Sequence, residues 1–120
     1  MKRDTKSENI LTRYAAGERA FLDLDRDDGI YNFDGADLSD VRFSGSHFFA
    51  TFRNANLTGA DFSDCNVKTC DFSGADLTRA TFFSSAIDAA IFEGAVLAHA
   101  DFEEASEQGH VYAKGELPLR

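Results

Sequence analysis

Between Phe33 and Phe102 a large apolar residue returns at every fifth position with one interruption, and the residue two places before it is small in most repeats. The large series is Phe33, Leu38, Phe43, Phe48, Phe52, Leu57, Phe62, Val67, Phe72, Leu77, Phe82, Ile87, Phe92, Leu97 and Phe102, and these are the predicted structural core. Ala, Ser or Cys fills most of the preceding slots, among them Ala36, Ser46, Ala55, Cys65 and Cys70. A period of five fits neither the helix repeat of 3.6 nor the strand repeat of 2. A chain that buries the same two positions of every five must wind around an axis with those positions turned inward, which is a solenoid. Cut every twenty residues, the large positions sort into columns: Phe33, Phe52, Phe72, Phe92; Leu38, Leu57, Leu77, Leu97; Phe43, Phe62, Phe82, Phe102; and Phe48, Val67, Ile87. The columns predict four sides per turn, about four coils, and like side chains stacked from layer to layer. Phe48 and Phe52 are only four apart, so the first turn holds nineteen residues, and a tightened or distorted corner is expected at Phe49 and Ala50.

The stretches Ala36-Asp37-Leu38-Ser39, Ala55-Asn56-Leu57-Thr58-Gly59, Ala60-Asp61-Phe62-Ser63 and Ala75-Asp76-Leu77-Thr78 resemble the pentapeptide-repeat family over about three fifths of the chain. The resemblance implies an all-β fold, a right-handed quadrilateral β-helix with the central Leu or Phe and the preceding Ala inside. It says little about function, because members of the family do different things.

Solenoids expose unpaired backbone at both ends, so the flanking segments are expected to be caps. Residues 1–30 read as an N-terminal capping helix and lead-in, 31–105 as the β-helix, and 106–120 as a C-terminal cap or tail. The helix is predicted near residues 6 to 16, with Thr5 to Glu8 as a capping box, Ile10, Leu11, Tyr14 and Ala15 as its apolar face, and Gly17 as its stop. Ala20 to Leu24 reads as a first strand, and Arg26, Asp27, Asp28 and Gly29 as a loop. In the tail, Val111, Tyr112, Leu117 and Leu119 around Lys114-Gly115 suggest a turn folded over the last coil.

Little in the chain suggests catalysis. His47, His99 and His110 fall at outward or tail positions without an obvious partner, no metal spacing emerges, and no cofactor is implied. Asp37, Asp61, Asp71, Asp76 and Asp101 precede the central residue in an outward slot, where Asp and Asn bond nearby backbone at turns. Cys65 and Cys70 occupy consecutive small slots and read as buried free thiols, with a disulfide between them the alternative. An enzyme is therefore not expected.

The surface carries the remaining information. The net charge is −9, and from Phe33 to Glu104 twelve acids face only Arg42, Arg53, Lys68 and Arg79. The predicted third side holds Asp61, Asp64, Asp101, Glu103 and Glu104 against Arg42. Such a surface repels nucleic acid and attracts a basic protein. Phe49, Phe83, Ile91 and Val96 are apolar where the repeat expects polar residues, and Phe83 falls on the acidic side. The expectation is a bacterial, cytoplasmic, non-enzymatic protein-binding module, monomeric or weakly dimeric and without membrane contact. Its specific form is an acidic inhibitor or immunity-type protein that occludes its partner. The alternatives are a general scaffold and a DNA mimic acting on a type II topoisomerase.

Overall fold

The computed structural model describes residues 3–118. Its elements are α1 (Thr5–Ala15), β1 (Asp25–Asn32), β2 (His47–Thr51), β3 (Ser106–Glu107) and β4 (His110–Val111). From Phe33 to Phe102 the chain is a succession of turns and single bridged residues. After every large residue except Phe48, its carbonyl accepts a hydrogen bond from the small residue three places on, as in Ala36 to Phe33 (3.1 Å) and Val41 to Leu38 (3.1 Å). The third residue of each such turn has a positive φ, for example Gly35 at 68° and Asp40 at 60°. The residue before each large one then forms a parallel bridge to its equivalent in the next layer. Asp76 shows the rule: its N–H donates to Ala55 O (3.0 Å) and its C=O accepts from Leu57 N (2.9 Å). Strand is therefore scarce although the backbone is bonded layer to layer.

Equivalent positions recur after nineteen residues in Asp37–Asn56, Arg42–Asp61 and His47–Asn66, and after twenty from Thr51–Asp71 onward. The deletion lies where the five-residue spacing breaks. The corner there is distorted rather than tightened. Residues His47–Thr51 run straight as β2, because the missing residue is the one that would adopt positive φ, and Ala50 serves as the buried small residue. The straight segment offers a longer edge, and β1 pairs with it in parallel from Asp25 opposite His47 to Asn32 opposite Thr51, with an irregularity before Ile30. Arg26 to Gly29 fall within the bounds of β1, but the register gives them no partner between Asp25–His47 and Ile30–Phe49, so the expected loop is present as a bulge inside the strand, with Gly29 at φ 85°. Conversely, within Ala20 to Leu24 only Ala20 is bridged, to Arg42.

The core is two facing ladders of phenylalanine. Phe52, Phe72 and Phe92 stack at 5.1 and 5.2 Å, and Phe62, Phe82 and Phe102 at 4.9 and 4.7 Å. Across the core the ladders meet edge to face, as in Phe72–Phe82 at 5.4 Å and 87°. Both geometries suit the ring quadrupole and add about 0.5–1.5 kcal/mol per pair to the burial itself. Phe21 and Tyr31 extend the aromatic column toward the N-terminus, against Phe43 (6.3 Å) and Phe33 (5.6 Å). Of the large series, all are buried except Leu97, which is half-buried together with Ala95 and Ala100 because among the described residues no further bridged layer follows them.

Helix α1 closes the N-terminal end. Asp4, rather than Thr5, is its N-cap and accepts from Ser7 N at 2.8 Å. At its other end Gly17 N donates to Tyr14 O and Glu18 N to Arg13 O, a Schellman motif for which Gly17 takes φ +107°. The helix also satisfies the open backbone of the first coil: Asn32 N donates to Ser7 Oγ (2.9 Å), Arg3 Nε to Asn32 O (3.1 Å), and Tyr14 OH to Ser39 O (2.6 Å). At the C-terminal end β3 and β4 form an antiparallel hairpin through Gln108-Gly109. Tyr112 is buried against Phe102 (6.3 Å), Val111 is exposed, Leu117 packs half-buried on the core, and a turn at Lys114-Gly115 brings Glu116 N to Ala113 O. Leu119 lies outside the described residues.

Candidate functional site

One wall of the solenoid carries the bridge ladder Ala20–Arg42–Asp61–Thr81–Asp101. Phe83 projects from it, 40% exposed. Its backbone is held on both sides: its N–H donates to Thr81 Oγ1 (3.2 Å) and its C=O accepts from Asp64 N (2.9 Å). In the next layer Glu103 accepts from Ser84 N through its carbonyl (3.1 Å), so Glu103 and Glu104 stand directly beyond Phe83 and Ser84. The wall therefore brings together Phe83, Asp61, Asp64, Asp101, Glu103 and Glu104.

The five carboxylates are not equivalent. Asp61 Oδ1 accepts from Ser63 N (2.8 Å) and Ser63 Oγ (2.6 Å), and Asp101 Oδ1 accepts from Glu103 N (2.9 Å), so both brace their own turns. Asp64, Glu103 and Glu104 carry no side-chain hydrogen bond or ion pair among the described residues. Asp64 and Glu104 sit at the left-handed corner position, φ 55° and 65°, and both are exposed. Charge here is graded along the axis, from exposed Arg42 at the N-terminal end to the Glu103-Glu104 pair at the other.

Ile91 and Val96 are 43% and 49% exposed but belong to other walls, where they top the ladders Thr51–Asp71–Ile91 and Asn56–Asp76–Val96. They do not join Phe83. Phe49 is not an open apolar group: the Arg26 guanidinium lies 3.8 Å from its ring centroid and donates to Asn66 Oδ1 (3.0 Å). Arg26 is a cation over an aromatic face, and its reading as part of a loop hid that contact. Leu22 (55%), Ile30 (63%) and Val111 (60%) are further exposed apolar residues, outside the five-residue rhythm that marked the others.

The remaining candidates have structural uses. His110 does have a partner, Glu116 Oε2 at 2.7 Å, and its ring meets Tyr112 edge to face. His47 and His99 are exposed. Cys65 and Cys70 are unbridged and buried, with Cys65 Sγ donating to Phe43 O (3.0 Å); burial pushes both thiols up to about 12, so neither supplies a thiolate near neutrality. Among the described residues no three His, Cys, Asp or Glu converge on a metal position, and no helix is long and apolar enough to cross a membrane.

Five-residue turns, layered bridges and a stacked core with rigidly mounted outward side chains define a β-solenoid scaffold. Residues 49–74 and 75–106 match the family model of pentapeptide repeats in eight copies, and the chain is a pentapeptide-repeat protein, a family that folds as right-handed β-helices. Among solved structures it is similar to a pentapeptide repeat protein from the Arabidopsis thaliana thylakoid lumen, with a TM-score of 0.65 and 25% identity over 72% of this chain and 60% of that one. It is similar also to one from Nostoc PCC 7120, with a TM-score of 0.54 and 25% identity over 91% and 86% of the two chains. HetL, a pentapeptide repeat protein involved in heterocyst differentiation regulation in Nostoc sp. strain PCC 7120, gives a TM-score of 0.41 and 24% identity over 75% and 43%. The chain thus spans less than two thirds of the first and third of these proteins. No curated protein sequence matches it significantly.

Proposed function

We propose that the protein is a non-enzymatic binding module, a four-sided β-helix of about four coils whose acidic wall captures a protein with a basic, partly apolar surface. The observation that carries this reading is Phe83, 40% exposed on bonded backbone and neighboured by carboxylates that the fold does not use. A rigid aromatic loses little entropy on contact, and hot spots are enriched in such anchors. Asp64, Glu103 and Glu104 steer a cationic partner and disfavour an anionic one. Occlusion needs only these two features, so an inhibitor or immunity-type role is the specific form of the proposal.

Affinity capture with the full chain tests it, with a Phe83→Ala, Glu103→Lys double variant alongside at matched concentration and matched urea midpoint. The expected outcome is one stoichiometric basic partner retained by the wild type and lost by the variant. Equal capture by both forms removes the wall from the function, and no partner for either leaves only the repeat scaffold.

A further inference from the structure

The backbone at the C-terminal end of the solenoid is unevenly closed. In the preceding layer Leu77 N donates to Val96 O (2.8 Å), Arg79 N to Ala98 O (2.9 Å), and Ala75 and Ala80 accept through their carbonyls from Val96 N and Asp101 N (both 2.9 Å). The equivalent groups one layer on are Leu97 N–H, His99 N–H, Ala95 C=O and Ala100 C=O, and none of them has a hydrogen-bond partner among the described residues. The hairpin β3–β4 returns beside Glu104 and Ala105, where Glu104 N meets Tyr112 O and Tyr112 N meets Ala105 O, and so leaves the stretch from Gly94 to Ala100 uncovered along its backbone. Val96, 49% exposed, stands on that stretch where the layers below carry Asn56 and Asp76. A run of open donors and acceptors beside an apolar side chain is a template for an added strand.

We infer that the edge from Gly94 to Ala100 is a strand-docking site for an extended segment of a partner protein, apolar at its centre and flanked by lysine or arginine. The register follows from the layers already present. A residue of the arriving segment, running parallel, donates its N–H to Ala95 O and accepts at its C=O from Leu97 N–H; the residue two places on accepts from His99 N–H. The first of these residues lies over Val96 and is apolar. Charge selects the occupant: between Arg79 and Lys114 the chain has no Lys or Arg, while Asp88, Glu93, Asp101, Glu103, Glu104 and Glu107 occupy that end. A second copy would bring the same acidic end and be repelled, whereas a basic segment is attracted. Next to Gly94 a cavity of about 310 Å³ opens, lined by Ala89, Ile91, Glu93 and Gln108 among others. It has room for the aliphatic stem of a flanking lysine with its ammonium toward Glu93.

The surface differs from the Phe83 wall, and the two readings fail separately. The probe is the blocked peptide Lys-Thr-Val-Thr-Lys titrated into the full chain, with amide exchange of Leu97 and His99 as the readout. Bound peptide should slow exchange at both amides at least tenfold while Leu77 and Arg79 stay as they were. N-methylation of the peptide amides, replacement of its lysines by glutamate, or Val96→Lys in the protein should each weaken binding at least tenfold, and Phe83→Ala should leave it unchanged. Equal binding of the N-methylated or glutamate peptide overturns the inference, as does unchanged exchange at Leu97 and His99. Slowing of the same amides with protein concentration alone, together with a dimer in sedimentation, overturns the basic occupant in favour of a second copy.

Discussion

Each five-residue repeat places one residue in the left-handed region, and the side chain it carries there sets a local cost. L-residues with a Cβ lose about 1–2 kcal/mol in that conformation, and glycine does not. Gly59 and Gly74 meet the demand twice over: a Cβ on Gly74 would lie 2.3 Å from Asn54 Oδ1, and one on Gly59 2.3 Å from Asp40 Oδ1. Thr69 is the opposite case, an exposed β-branched residue at φ 65°. Gly74→Ala should therefore lower stability by about 1–3 kcal/mol. Thr69→Gly should raise it by about 0.5–1 kcal/mol, the relief of strain exceeding the entropy that glycine adds to the unfolded chain. Urea midpoints of the two variants decide the matter. A destabilised Thr69→Gly would mean that the Thr69 hydroxyl, which donates to Lys68 O at 2.5 Å, outweighs the strain.

At the scale of the element, the five-residue turn is locked by its outward polar residue. Asp76 Oδ1 accepts from Thr78 N (3.0 Å) and Thr78 Oγ1 (2.6 Å), and these bonds to the charged form hold its pKa below the ordinary value. A depressed folded pKa contributes stability that is present above the unfolded value near pH 4 and is lost as pH falls through the folded one. Asn56 makes the same two bonds to Thr58 without a charge. Asp76→Asn should thus be close to neutral at pH 7 and flatten the loss of stability below about pH 4, whereas Asp76→Ala should cost about 1 kcal/mol at pH 7. Equal pH profiles for wild type and Asp76→Asn would remove this carboxylate from acid unfolding. The turns and the phenylalanine columns were legible because each depends on residues within one repeat, and so was the placing of Phe83 among the acids. The straight passage at Phe49-Ala50, the pairing of Ile30 to Asn32 beside it and the Arg26 cover on Phe49 were not. They follow from one another across about twenty residues, and none has a local composition that announces it. The half-burial of Leu97 is likewise a property of chain order: its repeat is like the others, but among the described residues no further bridged layer follows it.

For the whole molecule, one quantity governs both stability and association. Of the net −9, the segment from Phe33 to Glu104 contributes twelve acids against four bases, within a body whose principal extents are 37 × 27 × 24 Å. At ~0.01 M salt the Debye length of about 30 Å spans that body, so carboxylates on opposite walls repel through it; at 0.15 M it is about 8 Å and only neighbours interact. Among the described residues the Lys or Arg ion pairs that salt would weaken are three, Lys6–Asp4, Arg13–Glu18 and Arg53–Asp71; only Asp71 in the last is largely buried, and pairs open to solvent are worth little. Raising NaCl across this range should therefore increase the urea midpoint of the free protein, because self-repulsion is screened more than attraction is lost. The same salt should weaken capture of a basic partner, chiefly through a slower association rate. The two trends have opposite signs from one cause, and measuring both on the same preparation distinguishes them from a general effect of ionic strength on folding. A urea midpoint that falls with salt would show that local ion pairs, and not the summed field of the walls, dominate the electrostatics of this solenoid.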